Sequence, residues 1–152
     1  MITLFQFIIA LFERIPLWLI STIARISVGT AFLRSGLTKI DGWENGNTLY
    51  LFANEYKLPV IPPEIAAYMA TTAELTLPFF LFAGLFTRFA SFALLSMTLV
   101  IEIFVYPNAF DTHGIWAVCF LFLMKYGAGP LSLDAIIARF WSPSPAGKPM
   151  GA

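Results

Sequence analysis

With 152 residues, 59% of them hydrophobic and only 12% charged, the chain has the composition of a membrane protein rather than a water-soluble domain. Its formal net charge is zero and its basic residues are scattered, which argues against nucleic acid as a partner. Cys119 is the only cysteine, so an intrachain disulfide, a C-x-x-C redox pair and a thiolate metal cluster are all excluded.

Residues 1–12 are apolar and rich in Phe, then break at Glu13-Arg14. The run is too short to cross a bilayer, so a short interfacial helix is expected. It has neither a basic region nor a small-residue cleavage site, and no removable signal peptide is expected. Four stretches are candidate spans, at about 16–37, 64–86, 88–106 and 110–126. Pro16 suits a helix start, Pro62 and Pro63 open the second span, and Pro107 stops the third. The strictly apolar part of the fourth, 115–124, is short. It spans only by starting near Phe110 and letting Lys125 snorkel.

The first outer loop is expected to carry a short interfacial helix. Another is expected over 132–141, with Ser132 as N-cap and Asp134 in its first turn. Residues 142–152, rich in Pro, Ser and Gly, read as a disordered tail. The predicted fold is all-α: a polytopic membrane four-helix bundle, with one transmembrane domain over 1–141.

Arg14, Arg88, Lys125, Arg139 and Lys148 fall on one side of the predicted spans, and only Lys39 and Lys57 on the other. The first side is expected to be cytoplasmic, with both termini inside and the membrane a bacterial inner membrane.

Three charges lie deep in apolar segments: Arg25, Glu74 and Glu102. Each costs about 2.5–3.5 kcal/mol to insert unless it is paired or faces a polar cavity. At 1.5 Å per residue, Arg25 is roughly 14 Å from the inner surface and Glu74 roughly 15 Å from the outer one. Both are then near the midplane, and an Arg25–Glu74 ion pair is expected. Glu102 is about 21 Å from the inner side, and Arg34 is also in the outer half, so Arg34–Glu102 is a weaker second pairing.

Arg25 shares a helical face with Ser21, Gly29, Phe32 and Gly36. Glu74 shares one with Ala67, Ala70, Thr71 and Pro78, and Glu102 one with Ser91, Leu95, Thr98 and Tyr106. Small and hydroxyl residues suit helix contacts in membranes. Arg34 is nine residues from Arg25, hence on the opposite face, and is expected at the outer rim or against the loop. Arg25, Glu74, Glu102, Arg34 and Lys39 are expected to form either a ligand, proton or quinone site or a lock between helices. Asp111 and His113 are an outer-interface pair, read first as a cap or interface contact and second as a donor to a quinone or a proton carrier. Cys119 reads as a packed residue. Tyr50, Tyr56 and Trp43 either roof a pocket or lie among headgroups. No metal-ligand spacing, phosphate loop or nucleophile–base pair is present, so an autonomous enzyme is not expected.

The order and spacing of several pieces resemble the DoxX family of small four-helix bacterial membrane proteins. They are Arg25, Gly29, Phe32, Gly36 and Lys39 in R-x3-G-x2-F-x3-G-x2-K; Leu58-Pro59; Glu74-Leu75; the turn Gly84-Leu85-Phe86-Thr87-Arg88; and Gly127-Ala128-Gly129-Pro130-Leu131-Ser132-Leu133-Asp134. The family often has Gly after the second-span Glu; Pro78 stands here, and a kink is expected in place of close packing. The resemblance implies an accessory subunit of a redox or stress-related membrane system, similar to a subunit of archaeal thiosulfate:quinone oxidoreductase. Quinone is the implied cofactor candidate. A membrane or periplasmic protein partner is expected, and a homo-oligomer is open. The alternatives are a transport or binding module for a small molecule or modified metal-binding peptide, and a non-catalytic scaffold anchored through 132–141.

Overall fold

The computed structural model describes residues 3–141, and the tail expected over 142–152 lies outside them. Among the described residues the chain is all-helical: α1 (Leu4–Glu13), α2 (Leu17–Glu44), α3 (Asn47–Asn54), α4 (Pro63–Ala83), α5 (Thr87–Phe104), α6 (Phe110–Tyr126) and α7 (Leu133–Trp141). Helices α2, α4 and α5 are long and apolar enough to cross a membrane. Helix α6 has 17 residues, a rise of about 25 Å, and packs along α5 to complete a four-helix bundle.

Local chemistry sets the boundaries. Thr3 and Gln6 cap α1 reciprocally, and no residue of α1 is buried, which suits a helix at a lipid interface. Nothing between residues 37 and 44 breaks a helix, so α2 runs seven residues beyond its expected end and stops at Asn45-Gly46. Gly46, at φ 79°, turns the chain into α3. Thr48 then donates to the Lys39 carbonyl at 2.7 Å and docks α3 back on α2. Helix α4 ends three residues early because Gly84 takes a left-handed φ of 64°, with the Leu85 N–H donating to Phe80 O at 2.9 Å.

Lipid tails are as apolar as Leu, so close packing rather than burial from water holds such helices together. The core consists of Ala24, Val28, Phe32, Leu81, Leu94, Phe120 and Leu123 with their neighbours. A smaller cluster of Phe52, Ala66 and Ala67 lies under α3. Gly36 lets α2 approach α4 closely, since a Cβ there would stand 3.1 Å from the Glu74 backbone carbon.

Candidate functional site

The bundle has two chemically different ends. The clamp end carries the 84–86 turn, the 127–132 segment and α7. The roof end carries α3, residues 55–62 and the α5–α6 turn.

Arg25 belongs to the clamp. Its Nη1 donates to the carbonyls of Leu81 at 3.1 Å and Phe82 at 3.3 Å, and its Nη2 to that of Leu131 at 2.9 Å. The first two carbonyls belong to the last turn of α4, where the helix dipole is negative and a cation is favoured; that of Leu81 also accepts from the Gly84 N–H at 3.1 Å. The expected Arg25–Glu74 pair is therefore not formed. The first two turns of α2 lie beside 127–131 rather than beside α4, as the bond from Ser21 Oγ to Ala128 O shows. Arg25 consequently meets the last turn of α4, two turns short of Glu74. Asp134 completes the clamp: its two carboxylate oxygens accept from the N–H groups of Phe86 at 2.8 Å and Thr87 at 3.1 Å, capping α5. Phe86 holds a left-handed φ of 47°, unusual for a bulky residue, and this carboxylate fixes it there.

Glu74 pairs with Lys39 instead. Lys39 Nζ stands 2.7 Å from Oε2 and 3.0 Å from Oε1, and also donates to Ser35 Oγ at 2.9 Å. The Glu74 side chain is 3% exposed and that of Lys39 15%. A signal for this pairing was present in the sequence. Lys39 lies 14 residues from Arg25, within 40° of the same helical face, but only in a helix that continues past residue 37. Pro78, buried within α4, has no N–H for the Glu74 carbonyl, so the backbone at Glu74 also lacks its usual helical donor.

Glu102 does not meet Arg34. Its Oε2 accepts from His113 Nδ1, and the imidazole also leans on Trp116 with ring centres 5.3 Å apart. The turn between α5 and α6 centres on Pro107-Asn108, and Glu102 and His113 are equidistant from it along the chain. Hairpin symmetry thus brings them together. His113 is buried and turned to Glu102, whereas Asp111 and Arg34 are both exposed.

Lys39, Glu74 and His113 share one cavity of about 450 Å³ between α2, α4, α5 and α6. Its remaining lining is mostly apolar, with Phe32, Met69, Leu77, Met97, Val100 and Trp116 prominent. Glu102 does not line it and stands behind His113. Tyr56 and Tyr106 help close the roof, the Tyr106 hydroxyl donating to that of Tyr56 at 3.3 Å. Burial, and then this bond, push the Tyr56 phenol well above its ordinary pKa. Trp43 stacks on Tyr68 and donates to Thr71, so it braces α2 against α4 rather than lining the cavity. Volume, apolar walls and a few convergent polar groups are the features of a small-molecule site. The described residues contain no cluster of three or more His, Cys, Asp or Glu side chains placed to hold a metal ion.

The sequence model of the DoxX family matches residues 20–107, more than half of the chain. The chain belongs to the DoxX family. The match covers Arg25, Lys39, Glu74 and Glu102, and ends before His113 and the 127–134 segment. A Haemophilus influenzae protein described as an uncharacterized protein is 31% identical over 132 residues, spanning 78% of this chain and 83% of the relative. No solved structure matches. Membership accords with the apolar bundle and makes this DoxX protein a multi-pass membrane protein lying in a lipid bilayer.

Proposed function

We propose that this DoxX protein binds a small lipophilic ligand of the quinone type in the Lys39–Glu74 cavity, as an accessory subunit of a redox or stress-related membrane system. The observation that carries this reading is a mutually neutralising, nearly buried ion pair in the wall of a mostly apolar cavity. If the pair only joined two helices, no void would be needed beside it. Beside one, its ammonium supplies a donor for a quinone carbonyl and its carboxylate an acceptor for a quinol hydroxyl. His113, backed by Glu102, adds a second hydrogen-bonding group to the same space.

The clamp end carries Arg14, Arg88, Lys125 and Arg139, which supports a cytoplasmic clamp and an outward roof in a bacterial inner membrane. A partner protein would then supply the electron transfer. The test is mass spectrometry of lipophiles extracted from gently purified protein. Quinone is expected with the wild type and not with Glu74→Gln. Equal quinone in both, or none in either with both folded, would reject the reading.

A further inference from the structure

The cavity is closed unequally around its circumference. Its lining from α2, α3 and α6 is buried or half-buried, including Phe32, Phe52 and His113. The lining residues that are exposed are Ile61, Met69, Ser96, Val100 and Tyr106. Ile61 and Met69 lie before and on α4, and Ser96, Val100 and Tyr106 on and after α5. The exposure therefore follows a single seam, between α4 and α5. These two helices are tied at the clamp end by the 84–86 turn and its Asp134 cap. Towards the roof the cavity lies between them, while Tyr56, Tyr106 and Leu58 cover its end.

We propose that this seam is a lateral portal, through which a bilayer-dissolved amphiphile passes its head to the Lys39–Glu74 pair and leaves its tail among the lipids. The inference rests on the cavity being a ligand site, and it specifies the ligand class. Met69, Val100 and Ile61 give the seam an apolar rim suited to an alkyl or prenyl tail. A tail that stays outside is not limited by the 450 Å³ of the cavity. The head is uncharged: Lys39 is already balanced by Glu74, so an anionic headgroup would meet a carboxylate with no spare cation.

The test uses full-length protein in nanodiscs with Trp116 as the sole tryptophan, the other three being replaced by Phe. Trp116 lines the cavity, against Phe32 and His113. Phospholipids brominated in mid-chain are expected to quench it. Ser96→Phe, at an exposed position on the seam, is expected to remove most of that quenching. The same variant should slow the association of decylubiquinone, read by quenching of Trp116, about tenfold. Ser96→Cys in a Cys119→Ser background, plugged by a bulky disulfide-linked thiol and released by reductant, guards against a misfolded variant. It should switch both signals reversibly. No bromolipid quenching in the wild-type cavity, or quenching unchanged by either plug, overturns the portal, as does unaltered decylubiquinone association. Bromolipid quenching that responds to the plug without any decylubiquinone binding keeps the portal and rejects the quinone reading.

Discussion

The clamp end and the cavity dispose of buried charge in opposite ways. At the clamp, Arg25 and Asp134 spend most of their hydrogen bonds on backbone groups, at the end of α4, at Leu131 and at the start of α5. Each such bond to the backbone fixes one element against another, and neither side chain lines the 450 Å³ cavity. In the cavity, Lys39 and Glu74 spend theirs on each other and on Ser35, beside open space. The first arrangement is what a fold needs to hold its shape. The second leaves polar capacity where a ligand can use it. Depth in an apolar segment alone does not distinguish the two; the partner does.

The comparison breaks most sharply at Arg25. Arg25→Ala leaves the Leu81, Phe82 and Leu131 carbonyls without this donor, and is expected to cost about 4 kcal/mol of stability, since each buried polar group left unmade costs about 1–3 kcal/mol. Thermal unfolding in detergent checks this, and retention of quinone by the folded fraction would confirm that the clamp is not the binding site. Glu74→Gln strands the Lys39 ammonium and is expected to cost about 3 kcal/mol. The double variant Lys39→Met/Glu74→Leu should recover most of that stability while binding remains lost. Recovery of both would reduce the pair to a helix lock. Gly36→Ala presses a methyl group against the Glu74 backbone at 3.1 Å and is expected to cost about 1–2 kcal/mol while shifting the pair. A change in stability with unaltered ligand affinity there would show that the binding geometry tolerates movement of α4.

The smallest effect concerns the roof. The Tyr56 phenol is held above its ordinary pKa, so the folded state retains a proton that the unfolded chain gives up near pH 10. Its contribution is complete below that pH and is lost as pH rises through the folded value. Ultraviolet titration should show a late-ionising tyrosine in the wild type that Tyr56→Phe removes.

Much of the helical plan was legible from residues. Pro63, Pro107 and the Gly127 break set the ends of α4, α5 and α6 close to where they were expected, and Phe110–Tyr126 forms one helix as the sequence predicts. The pairings are less legible, because a residue's depth depends on where its helix begins and ends. Helix α2 extends past its expected end and α4 stops short of its own, so the expected register slips by about two turns. Arg25 then appeared level with Glu74 when Lys39 was. The meeting of Glu102 and His113 follows from the symmetry of the α5–α6 hairpin and not from opposite formal charges.

Composition and apolar run lengths by themselves determined that this chain is a helical membrane protein, because about 20 apolar residues per span leave a backbone no other way to satisfy its polar groups in lipid. The sequence also determined which charges had to find partners. Only the tertiary structure decided who those partners were, and that Lys39, Glu74 and His113 share one cavity while Arg25 does not. Helix register is fixed by close contacts such as Gly36 on Glu74 and Ser21 on the 127–129 segment. Such contacts depend on shapes meeting across space, and no spacing along one helix encodes them.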